Sequence, residues 1–188
     1  MVENSQQLSD RYDEHGYFVI RNYFDEAQIA SLRKVVLKFH ESWKADNEEF
    51  YKEEAFNSSL ITGSEHLPAD DRSVLFDFIS SKQVMDVVDA VIPNKPAFMN
   101  TQLFFNPVNP QQKDFWHRDC QYDYDVDDQM KVIMETQVLH LRVPIFDEPG
   151  MELIPGTHKR WDNEEEYNVR QEENGKVSSD DISGGKQI

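Results

Sequence analysis

Residues 115–124 read FWHRDCQYDY, and two of them carry side chains that ligate divalent transition metals: the imidazole of His117 and the carboxylate of Asp119. Side chains two positions apart diverge on a helix but share a face on extended chain, so the pair can act on one ion only if the segment is extended. Its neighbours favour that conformation. Phe115, Trp116, Tyr122 and Tyr124 are strand-favouring residues, and no apolar stripe of helical period runs through the stretch. An extended segment also sends Arg118 to the opposite side. The competing reading is a His–Asp hydrogen bond that shapes a surface loop, the commoner fate of such a pair taken alone.

Any such pair needs a scaffold. At 188 residues and 22.1 kDa the chain is long enough to bury a core and is expected to form one domain over residues 1–188. Hydrophobic residues at 38% and aromatics at 12% set aside disorder throughout, even with charged residues at 29%. The 36 acidic side chains outnumber the 19 basic ones, and a net charge of -17 disfavours nucleic acid and anionic membrane as partners while suiting cationic, zwitterionic or uncharged ligands. The one cysteine, Cys120, rules out an internal disulfide framework and fits a reducing compartment. The opening residues MVENSQQLSDRYDEHGY carry no basic region followed by an apolar one, and no run of about 18 apolar residues occurs, so a cytoplasmic location is expected.

Residues 1–95 read as helix-rich. Gly16–Ile20 is expected as a short strand, and Asp25 as the N-cap of a helix that places Ile29, Leu32, Val35, Val36 and Phe39 on one face. A shorter helix is expected from about Glu48 to Phe56. A third runs from Ser73 through Leu75, Phe76 and Ile79 and, after Ser81, Val84, Val87, Val88 and Val91. From Pro96 the pattern changes: strands are expected at Phe98–Phe105, Val132–Val143 and Met151–Ile154, separated by Gly and Pro turns. The acidic stretch 162–181 is expected as an exposed loop or short helix. The fold class is therefore expected to be mainly β with N-terminal helices.

Taken in order, Gly16-Tyr17-Phe18-Val19-Ile20 followed by a helix, His117-x-Asp119, and the turn Pro155-Gly156-Thr157-His158-Lys159 resemble the phytanoyl-CoA dioxygenase (PhyH) family, over roughly Tyr12 to Ile188. The resemblance implies a double-stranded β-helix, a cupin-like jelly roll, and an Fe(II)- and 2-oxoglutarate-dependent oxygenase. Such an enzyme uses O2 to hydroxylate a C–H bond of a small molecule and releases succinate and CO2. It also implies that His117 and Asp119 are metal ligands, joined by a second imidazole from a later strand, and that an arginine beyond it pairs with the cosubstrate. An Asp at 119, rather than a small residue, implies hydroxylation rather than halogenation. Residues 181–188 resemble the strand that precedes the second imidazole. Residues 96–188 are thus expected to be the first part of a jelly roll whose C-terminal strands, third ligand and arginine lie beyond residue 188, and the 188-residue chain alone is expected to hold iron poorly.

The resemblance further implies that Gln102 and Gln137 contact 2-oxoglutarate, with Asn100 as the alternative to Gln102. His140 and His158 are set aside as ligands, the first as a strand-face residue beside Val138 and Arg142, the second as packing or capping a turn; His15, His40 and His66 belong to the helical half. Phe115, Trp116 and Tyr122 are candidates for a substrate pocket or for core, and Met130, Met134 and Met151 for packing. Asp123, Asp125, Asp127 and Asp128 lack the glycine and terminal glutamate of a calcium loop and read as a solvated lid. Two alternative functions remain open: a catalytically inactive binding module, and a zinc-binding cupin-like protein.

Overall fold

The computed structural model describes residues 4–92, 94–135, 138–171 and 181–188. Helix α1 (Ser5–His15) begins with a capping box in which Asn4 and Gln7 bond each other's backbone N–H groups, and it ends at Gly16 with φ 79°. Glycine is required there: besides the left-handed backbone, a Cβ would lie 2.5 Å from the ring Nδ1 of His158. Helix α2 (Glu26–Asp46) starts at Asp25, whose side chain accepts from the Gln28 N–H in a second capping box, as the sequence predicts. Short α3 (Glu48–Glu53) stops before Phe56. Helices α4 (Ala69–Ile79) and α5 (Lys82–Val91) replace the third expected helix, the break falling where the Ser81 side chain accepts from the Val84 N–H at 3.3 Å.

The core is built on one face of α2. Leu32, Val35, Val36, Phe39 and Trp43 recur at helical spacing and bury against Ala55, Ile61, Leu67 and Leu75, with α4 lying along α2 and α5 along α1. Phe105, Val143 and Ile145 pack onto that cluster from the second half of the chain. Arg33 Nε donates to the Ile145 carbonyl at 2.5 Å, and the Tyr12 hydroxyl donates to the Val138 carbonyl at 3.3 Å. The helices thus hold the irregular segments around residues 98–105 and 138–146 in place.

The expected mainly β jelly roll is not what forms. Of the described residues 50% are helical and 5% lie in strands, and those strands make two small antiparallel sheets with no closed barrel among them. In the first sheet β1 (Asn57–Ser58) pairs with β2 (Leu103–Phe104); in the second β3 (Glu152–Leu153) pairs with β4 (Lys186–Gln187). Gly16–Ile20 forms no ladder, and the expected strand at 98–105 shortens to β2. The expected strand at 132–143 fails for a local reason. Asp125 accepts from the Asp128 N–H at 3.0 Å, Asp127 and Asp128 favour the positive end of a helix, and α6 (Val126–Glu135) runs through the Val132-Ile133 pair that had marked a strand. Among the described residues of 96–188 no jelly-roll strand order forms; they carry α6 and a further helix, α7 (Glu164–Arg170).

Candidate metal centre

The segment before His117 has no regular element, and a 3-10 turn covers Asp119–Tyr122. Arg118 between them is extended, with φ -113° and ψ 135°, so His117 and Asp119 fall on one side. His117 Nε2 lies 3.5 Å from Asp119 Oδ1. The His117 side chain is 42% exposed and that of Asp119 68%, so the pair faces open solvent rather than a sealed interior. On the far side of the ring, Nδ1 stands 3.3 Å from the Phe115 carbonyl. A carbonyl and a carboxylate both only accept, so Nδ1 donates to Phe115 and Nε2, the nitrogen turned toward the carboxylate, donates to Asp119 when the ring is protonated; Nε2 must release that hydrogen to bind a metal. Phe115 and Tyr122 flank the imidazole, with ring centroids 5.4 and 5.7 Å away.

The charges match this geometry. The hydrogen bond to Asp119 holds the His117 imidazole above its ordinary pKa, against the opposing effect of burial, and the same bond holds Asp119 below the usual carboxylate range. A second imidazole reaches the same group: His140 Nδ1 is 3.7 Å from Asp119 Oδ2. The sequence had set His140 aside as a strand-face residue, whereas residues 138–143 form no strand and His140 turns to the pair. Among the described residues no group of three His, Cys, Asp or Glu is placed to hold a metal ion. His117 and Asp119 suit iron(II) as two of its ligands by donor type. The backbone bond at His117 Nδ1 is the outer contact that metal-binding imidazoles ordinarily make.

Behind the pair the chain is tied down. Arg118 points away from it, as an extended residue must. Its Nε donates to Asp162 Oδ1 at 2.6 Å, and its terminal nitrogens donate to the carbonyls of Thr157 at 2.9 Å and Arg160 at 3.2 Å. Arg170 Nε takes the other oxygen of Asp162, and Arg160 grips Glu166 with two bonds, at 2.6 and 2.7 Å. Sequence reading missed this layer because the acidic composition of 162–181 suggested solvated chain. The available signal was Asn163-x-x-Glu166, a capping box that starts α7.

The remaining sequence candidates spread out. Gln102 and Asn100 are exposed beside β2, and Gln137 lies outside the described residues. His158 Nε2 lies 3.2 Å from the Asp13 carbonyl, and the Gly156 N–H donates to the His15 carbonyl at 2.8 Å, so the Pro-Gly-Thr-His turn caps α1. His66 is buried against Phe39, and His40 packs on Tyr51 and Phe105, where burial pushes its pKa down. Trp116 packs over Gly185, where a Cβ would come within 3.0 Å of the indole. Burial pushes the Cys120 thiol up. The acidic run starts α6 rather than forming a lid, and Lys131 neutralises one of its members, Asp128, at 2.7 Å. No helix of the described residues is long and apolar enough to cross a membrane.

An imidazole and a carboxylate on one side of a short segment, with the ring anchored through its other nitrogen, are the parts that a mononuclear His/carboxylate metal centre needs. The family model of phytanoyl-CoA dioxygenase (PhyH) matches residues 12–184. The chain belongs to this family of Fe(II)- and 2-oxoglutarate-dependent oxygenases. No curated protein and no solved structure matches it.

Proposed function

We propose that the chain serves an iron(II)- and 2-oxoglutarate-dependent hydroxylase acting on a C–H bond of a small molecule, and that His117 and Asp119 are two of its metal ligands. The observation that carries the proposal is the approach of His117 Nε2 and Asp119 Oδ1 to 3.5 Å inside a chain matched by the PhyH model over residues 12–184. When bound, iron(II) with 2-oxoglutarate and O2 supplies the oxidising chemistry, with succinate and CO2 as coproducts. The Phe115 carbonyl orients the His117 ring so that Nε2 is presented. Asp119 supplies the negative charge that a divalent ion needs, and its lowered pKa keeps it ionised at neutral pH. Phe115 and Tyr122 offer an apolar flank to the substrate, while Gln102 and Gln137 are the proposed contacts of the cosubstrate.

The test is an anaerobic titration with iron(II) and 2-oxoglutarate, followed by the weak visible charge-transfer band of the chelate. It is run on the 188-residue chain and on the chain carried to the end of its reading frame. The band is expected in at least one form, and Asp119→Ala is expected to abolish both the band and iron-dependent decarboxylation. Its absence from both forms would make His117 and Asp119 a structural pair and favour a non-catalytic binding module.

A further inference from the structure

The two sides of residue 118 have opposite characters. His117 and Asp119 look outward, whereas Asp162 behind them is only 2% exposed and Arg170 3%. Between the two lies a closed loop of hydrogen bonds. The Arg118 backbone N–H donates to Gln121 Oε1 at 3.0 Å, and Arg170 Nη1 donates to the same oxygen at 3.4 Å. Arg170 Nε bonds Asp162, and Asp162 is bonded in turn by Arg118 Nε at 2.6 Å. The loop thus grips residue 118 through both its main chain and its side chain. Arg170 also lies over the rings of Trp161 and Tyr167, at 5.1 and 5.3 Å from their centroids, which fixes its guanidinium plane.

We propose that this ring of Arg118, Gln121, Asp162 and Arg170 is the positioning device of the metal centre. Resting on the metal reading above, it sets the spacing of His117 and Asp119 by fixing the backbone between them. The two ligands have no buried surroundings of their own, so their direction depends on the Cα–Cβ vectors on either side of Arg118. A two-point grip on an extended residue fixes both vectors at once. Asp162 accepts one bond on each oxygen from two guanidiniums, and the planar fork of each arginine makes that bond directional. Lysine at 118 keeps the charge but loses the fork, and with it the simultaneous bonds to Asp162, Thr157 and Arg160.

The prediction concerns metal affinity, and cobalt(II) alone serves as the probe because its visible bands report coordination. Wild type, Arg118→Lys, Arg118→Gln, Asp162→Asn and the control Glu166→Gln are titrated, each in the 188-residue chain and in the chain carried to the end of its reading frame. Thermal melts are recorded for all of them. Glu166 belongs to the same layer through Arg160 but lies outside the ring, so its variant reports general loss of stability. The ring variants are expected to bind cobalt(II) about 10- to 100-fold more weakly, the range for loss of an outer contact of a metal site. Arg118→Lys should stay folded and fall between wild type and Arg118→Gln. Glu166→Gln should lower the melting temperature with affinity unchanged. Wild-type binding with equal affinity in the folded ring variants would overturn the positioning role and leave the metal reading standing. Affinity that falls in step with melting temperature in every variant, Glu166→Gln included, would overturn it as well. Failure of wild type to bind in either form would overturn the metal reading and this inference with it.

Discussion

Glu166 shows how much a single side chain can carry in a layer of opposite charges. Its carboxylate is buried, takes two bonds from Arg160 and accepts the Asn163 backbone N–H at 3.0 Å. Arg160 is the main cause that holds its pKa below the usual range. A carboxyl whose pKa is lower folded than unfolded adds stability that is fully present above the unfolded value, about 4.3, and is lost as pH falls through the folded one. The melting-temperature gap between wild type and Glu166→Gln is therefore expected to be constant from about pH 8 to 6 and to shrink steadily below about pH 4.5. A gap that stayed level down to pH 3 would mean that folding leaves the Glu166 pKa where it stands in the unfolded chain, and that Arg160 does not hold it down. At this scale the sequence was readable where two residues act at a fixed spacing. The His117-x-Asp119 pair and the opposite direction of Arg118 both follow from the alternation of extended chain. The approach of His140 to Asp119 did not, because residues 119 and 140 meet only through the path of the chain between them.

Helix α6 is the element on which expectation and structure part most clearly, and a proline can decide between them. Met130 is exposed, in the interior of Val126–Glu135. Proline there would remove a backbone hydrogen bond and clash with the preceding turn, at a cost of about 3 kcal/mol. Had residues 125–131 been a loop before a strand at Val132, the same change would have been nearly neutral. Met130→Pro is thus expected to cut chemical-denaturation stability by about 3 kcal/mol and to lower the helical circular dichroism signal. An unchanged midpoint would restore the loop. The α2 helix was legible because cap, capping box and a five-residue buried stripe all agree. The strands were not, because β-branched and aromatic residues in the second half describe half-buried surface as well as they describe ladders. Phe105, Val143 and Ile145 spend that character packing on α2 instead of pairing in a sheet.

Over the whole molecule the dominant long-range fact is a net charge of -17, and its effect competes with local pairing. Several surface lysines sit on carboxylates: Lys52 on Glu48 at 2.5 Å, Lys82 on Asp86 at 2.6 Å, and half-buried Lys44 on Glu41 at 2.9 Å. Each such pair lies in high-dielectric surroundings, contributes little to stability and is weakened by salt. The 19 cations cannot match 36 anions, so a surplus of carboxylates is held close together in the folded chain and spreads apart in the unfolded one. Raising NaCl from about 10 mM to about 150 mM shortens the screening length from about 30 to about 8 Å, which removes more repulsion between surplus charges than attraction within touching pairs. The buried Arg118–Asp162–Arg170 contacts are screened least, so the ring behind the candidate metal centre keeps its strength. The melting temperature is accordingly expected to rise over that interval and then to level off. A fall would show that the lysine pairs outweigh the surplus charge. A rise that continued linearly, and was larger with sulfate than with chloride at equal ionic strength, would point to solute exclusion from the protein surface rather than to screening.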